Sequence, residues 1–146
     1  MKNEFLLNMD FDHIAMSLPE QQAWVESPSD GVLRIHLERE AEESGHTTSF
    51  VRFSPGSHFS PHTHPQGEEI LVLDGVFADE HGEYPAGTYL RNPPGSRHSP
   101  RSPEGCELFV KLDQFQVADT EKLVIRPEDR QWQPGIGNLR VLPLHS

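Results

Sequence analysis

Basic residues are scarce in this 146-residue chain, where 12 Lys and Arg stand against 23 Asp and Glu and leave a formal charge of −11. That deficit removes the source of phosphate neutralisation on which nucleic-acid binding depends, and it sets the chain against anionic membranes as well. Cysteine is nearly missing: the lone Cys106 permits neither an internal disulfide nor a Cys-rich zinc site, which suits a reducing compartment. Long apolar runs are missing too. Nothing approaches the roughly 20 residues of a membrane span, and the opening MKNEFLLNMDFDH lacks the apolar core of a signal peptide, so a cytoplasmic, membrane-free protein is expected. A sustained helical period is absent, apart from a short turn suggested by LPEQQAWV at 18–25. The length corresponds to one domain with a single core.

What the sequence does contain is punctuation. Thirteen prolines and 11 glycines are spread along the chain between short apolar or alternating runs. Runs at 32–39, 46–53, 68–78, 87–91, 106–115 and 121–126 read as strands, and SPSDG, SPGS, DEHGEYPAG and NPPGS read as the turns between them. Many short strands with regular turns predict an all-β sandwich or barrel over residues 1–146. WVESPSDGVLRIHL at 24–37 is echoed by WQPGIGNLRVLPL at 132–144, so residues 127–146 read either as a C-terminal extension or as the start of a degenerate second repeat.

The chemistry gathers in two segments. In residues 56–75, Gly56 is followed by His62, His64, Glu68 and Gly75; in residues 87–102, Gly87 is followed by Pro93, Gly95, His98 and Ser102. Strand alternation places His62 and His64 on one face, and the Pro65-Gln66-Gly67 turn folds Glu68 back beside them. These intervals resemble the two motifs of the cupin family, G-x5-HxH-x3-E-x6-G and G-x5-PxG-x2-H-x3-N, with Ser102 in place of the Asn. The resemblance implies a small double-stranded β-helix, or jelly-roll barrel, with one divalent metal ion held by His62, His64, Glu68 and His98. GEEILVLDGVFADEHGEYPAGTYLRNPPGSRHSP with the following GCELFVKL is similar, more narrowly, to the cupin domain of ChrR-type anti-sigma factors and to related dioxygenases that cleave acetylacetone-like diketones.

Imidazole and carboxylate ligands suit Zn, Fe(II), Mn or Ni, and the donor types alone do not choose among them or between a structural and a catalytic ion. Exposed loop histidines are the alternative for His62 and His64. Between the two glutamates, strand parity is neutral because Glu68 shares a face with Ile70 and Val72 and Glu69 with Leu71 and Leu73; the six-residue interval to Gly75 selects Glu68. Glu69 is then expected to meet an arginine such as Arg91 or Arg97, or to lie at the rim. His58, Tyr89 and Arg91 are candidates for a substrate pocket on parity. Cys106 is expected to be a small core residue, and Asp79-Glu80 and Glu42-Glu43 to be solvated turns.

The resemblance leaves two functions open. One is a metal-dependent dioxygenase acting on a small enolisable carbonyl or diketone compound; the other is a non-catalytic, ChrR-like zinc-binding sensor or ligand-binding module. A homodimer is expected, since edge strands of such folds are commonly covered. Binding of a sigma factor is not expected, because the residues before 46 carry no His and Cys cluster of the kind that forms the anti-sigma segment.

Overall fold

The structure is a computed structural model describing residues 4–145. A 3-10 turn, Pro19–Gln21, stands where the short helical turn is expected, and a second, Pro127–Asp129, follows the strand run at 121–126. The strands are, in chain order, β1 (Val25–Glu26), β2 (Val32–Arg39), β3 (Thr47–Phe53), β4 (Ser57–His58), β5 (His62–Thr63), β6 (Glu68–Asp79) and β7 (Gly82–Pro85). After these come β8 (Tyr89–Asn92), β9 (Arg97–His98), β10 (Arg101–Ser102), β11 (Cys106–Leu112), β12 (Leu123–Ile125), β13 (Gln133–Pro134) and β14 (Arg140–Val141). No helix among the described residues is long and apolar enough to cross a membrane.

All pairings are antiparallel, and β6 organises them. Its first half, from Glu68 to Gly75, lies between β11 and β8 in a sheet ordered β1-β2-β3-β11-β6-β8-β12. Its second half crosses to the opposite face and pairs with β7 and β10, the latter carrying β4. The crossing is made by a bulge. Leu108 pairs with Val72 and Glu107 with Asp74, so Leu73 is the extra residue, and an extra residue bends a strand and sharpens its twist. Gly75 follows with φ +70°, and a Cβ there would lie 2.2 Å from the Gly105 carbonyl oxygen. Only glycine accommodates both the left-handed backbone and that approach.

Between the two faces lies the core of the jelly roll, built from Val51, Phe53, Ile70, Val72, Phe77 and Leu108 with their neighbours. Phe53 sets its ring edge-on to Phe59 and Phe77, tying β3 to the opposite face. Cys106 is part of this core, and burial pushes its thiol up to about 11, so it is inert packing. Along β6, Ile70 and Val72 face inward whereas Leu73 is 43% exposed, so the strand has one interior face rather than two. The echoing segments are both hairpins: β1 pairs with β2, and β13 with β14.

Candidate metal centre

The centre forms where the two motif segments meet. His62 on β5 lies directly opposite His98 on β9 in a two-stranded ladder. His64 follows one residue after β5; its backbone N–H donates to the Ser96 carbonyl and its own carbonyl accepts from Gly95, so the Pro93–Ser96 turn holds it in place. Metal-binding atoms of His62, His64 and His98 all lie within 4.8 Å of one another. Glu68, at the start of β6, brings Oε2 to 3.3 Å from His64 Nε2 and 3.4 Å from His98 Nε2. Those separations exceed ordinary hydrogen bonds.

Burial and polarity at this point conflict unless something is shared among the side chains. His64 is 4% and His98 3% exposed, yet neither Nε2 has a hydrogen-bond partner within the described residues. Buried polar atoms are ordinarily satisfied, because leaving one unpaired costs about 1–3 kcal/mol. A cation among the four side chains resolves the conflict, and the residues present fit one: neutral imidazoles and one carboxylate are the donor set of borderline divalent metals. Burial lowers the His64 pKa against the opposing pull of Glu68, which keeps that ring neutral. His62 directs Nδ1 to the Ser60 carbonyl oxygen at 2.9 Å and leaves Nε2 for the centre.

Two further residues orient this set, and both escape a sequence reading. Asn92 on β8 pairs with Glu68 across the sheet, and its Nδ2 donates to Glu68 Oε2 at 3.0 Å. Asp79, expected in a solvated turn, is instead 4% exposed at the inner end of β6. It accepts hydrogen bonds from the His81 backbone N–H and the Tyr84 hydroxyl, and its Oδ2 lies 3.5 Å from His98 Nδ1. Burial opposes a charge on His98, but Asp79 and Glu68 outweigh it and raise its pKa; His98, the His81 N–H and the Tyr84 hydroxyl hold the Asp79 carboxyl below its usual range in spite of burial. At 3.5 Å this carboxylate acts on His98 through its charge, and a carboxylate behind a histidine strengthens it as a ligand. The signal that would have identified Asp79 is the bulge at Leu73, which reverses strand parity and turns Phe77 and Asp79 inward.

The centre opens on a cavity of about 450 Å³ whose wall includes His62, His64 and Glu68. Three proposed pocket residues lie elsewhere. Tyr89 and Arg91 occupy the outer face of β8, opposite Leu71 and Glu69; the Tyr89 hydroxyl donates to Glu69, and Arg91 pairs with Asp119 and stacks on Phe115. Inner and outer residues alternate on β8, and its inward pair is Leu90 and Asn92. Glu69 therefore stands opposite Arg91, one of the arginines expected, but takes its hydrogen bond from the Tyr89 hydroxyl. His58 is solvent-exposed on β4, opposite Arg101, because Pro61 interrupts the alternation that would have aligned it with His62. Glu43 lies exposed in a bend, as expected, and there makes a two-pronged pair with Arg34. Ser102, where the motif has Asn, is fully buried, and its hydroxyl donates to the Val76 carbonyl.

Comparison with known proteins places this arrangement. A candidate acetylacetone dioxygenase from Methylibium petroleiphilum superposes with a TM-score of 0.62 and 22% identity over 80% of this chain and 91% of that one. An acetylacetone dioxygenase from Acinetobacter johnsonii gives 0.56 at 16% identity over 75% and 86%. The complex of Rhodobacter sphaeroides SigE with the anti-sigma ChrR gives 0.55 at 22% identity, over 66% of this chain and 52% of that one. At such identities these likenesses speak for the fold. Comparison with curated sequences yields no significant match. The profile of the ChrR cupin-like domain matches residues 13–116, which take in all four side chains of the centre and the strands that carry them, and the chain therefore belongs to the family of ChrR cupin-like domains.

Proposed function

We propose that His62, His64, His98 and Glu68 hold one divalent ion, Zn, Fe(II), Mn or Ni, and that the chain is a metal-dependent dioxygenase cleaving a small enolisable carbonyl or diketone compound. The observation that carries the reading is the pair of buried, partnerless Nε2 atoms on His64 and His98 beside a largely apolar cavity. When bound, a divalent ion supplies Lewis-acid polarisation of a carbonyl oxygen and a site for O₂ chemistry. The chain's own residues do the rest. Asn92 orients Glu68, Asp79 orients His98, and Val51, Phe53, Ile70, Phe77, Leu108 and Val110 line a space that excludes bulk water from a bound substrate. Likeness in fold to an acetylacetone dioxygenase and to a candidate one supports the choice of substrate class.

The test is O₂ uptake by protein loaded anaerobically with Fe(II) and offered a panel of acetylacetone-like diketones. One O₂ consumed per diketone cleaved is expected; stoichiometric zinc in the purified protein with no turnover of any panel member contradicts the enzyme. Family membership favours a second reading under that outcome, a non-catalytic zinc-binding sensor or ligand-binding module. We include a homodimer in the proposal, because Val25 on the edge strand β1 and Val124 on the edge strand β12 are exposed. Sedimentation at the mass of one chain would remove that part.

A further inference from the structure

The cavity also has a polar patch on β2, away from the strand that carries Glu68. β2 lies three strands from β6 in the sheet order β2-β3-β11-β6, about 14 Å at ordinary strand spacing. Its inward residues Arg34 and His36 pair across the sheet with Val51 and Ser49, and all four line the cavity. Val51, Leu108, Val110 and Ile70 supply apolar lining on the same sheet.

This patch carries two unspent hydrogen-bonding atoms. Arg34 gives its Nη1 and Nη2 to Glu43, at 3.1 and 2.7 Å, and that pair pins the loop between β2 and β3 over this part of the cavity. Its Nε–H is buried and has no partner among the described residues, and neither has His36 Nδ1. Arg34 and Arg39 as well as burial keep the His36 ring neutral, lowering its pKa to about 4. The Arg34 charge is already neutralised by Glu43, so the patch offers a donor from a balanced ion pair and a nitrogen of a neutral imidazole. A hydroxyl group can accept from the first and donate to the second. A carboxylate would face Glu43 and gain little.

We propose that this cavity takes an elongated ligand with a metal-binding carbonyl head, an apolar, preferably aromatic, body and a neutral hydroxyl at its far end, read by Arg34 Nε and His36 Nδ1. The inference rests on the metal centre being the head's anchor. A volume of about 450 Å³ corresponds to roughly fifteen waters at ~30 Å³ each, far more than a simple diketone fills.

The test is calorimetric titration, under nitrogen, of the full chain with matched probes: benzoylacetone against its para-hydroxy and para-carboxy analogues, and the corresponding naphthyl series. Each is titrated with and without one equivalent of zinc. In at least one series the hydroxy probe should bind at least about fivefold tighter than its unsubstituted parent and tighter than the carboxy probe, a gain that even one of the two hydrogen bonds implies. His36→Leu and Arg34→Gln should each erase that preference and leave the parent's affinity within about twofold. Equal affinities of parent and hydroxy probes in both series of the unaltered protein would overturn the inference, as would a preference for the carboxy probe or one that survives both substitutions. A hydroxyl preference that persists while zinc has no effect on binding would count against the metal centre and the head's anchor, and leave the hydroxyl end standing. Zinc-dependent binding without that preference would count against this ligand alone.

Discussion

At the scale of single residues, the four converging side chains and the residues that support them separate cleanly. Asp79→Asn retains an acceptor for Tyr84 and the His81 N–H but loses the charge behind His98. It should weaken metal affinity about 10- to 100-fold in a chelator competition, the usual effect of removing a carboxylate behind a ligating histidine. Glu69→Gln, on the outer face, should leave metal content unchanged; a loss there would mean that the carboxylate of the centre is Glu69. His36 gives a pH prediction. In the unfolded chain it takes a proton near 6.5, but in the fold only near 4, where burial together with Arg39 and Arg34 outweighs Glu43. Between those values the unfolded state binds the extra proton, so stability falls as pH drops from about 6.5 to about 4. The urea midpoint of His36→Leu should therefore fall less steeply over that window than that of the unaltered chain; parallel slopes would show that His36 contributes nothing to the acid sensitivity.

At the scale of elements, the bulge and bend of β6 are the device that brings Glu68 and Asp79 to one site from opposite ends of a single strand. Gly75→Ala should destabilise the fold by more than about 2 kcal/mol in urea titration, through left-handed strain and the clash with the Gly105 carbonyl. The same device shows where sequence reading stops. The run at 32–39 matches β2, and those at 46–53 and 68–78 come within a residue of β3 and β6, because alternation and β-branched content are local properties. The run at 106–115 overshoots; β11 ends at Leu112, and Asp113 adopts φ +56°. β7 lies inside DEHGEYPAG, a stretch whose composition reads as turn, and it becomes a strand only because the second half of β6 pairs with it. The histidines and Glu68 were legible from spacing, whereas Asp79 and Asn92 were not: one depends on a bulge that reverses parity and the other on cross-strand register.

At the scale of the molecule, fold and centre should stabilise each other. Four side chains from β5, the turn after it, β6 and β9 converge, and a cation bound there favours the folded state by mass action. Added zinc should raise the melting temperature of the metal-stripped protein and leave that of His64→Ala unmoved. The most direct measurement is metal content by elemental mass spectrometry after purification without added metal and dialysis against a weak chelator. One divalent ion per chain is expected, falling sharply in His62→Ala, His64→Ala, His98→Ala and Glu68→Ala. Full occupancy in all four substituted proteins, or no metal in the unaltered chain after reconstitution, would contradict the account.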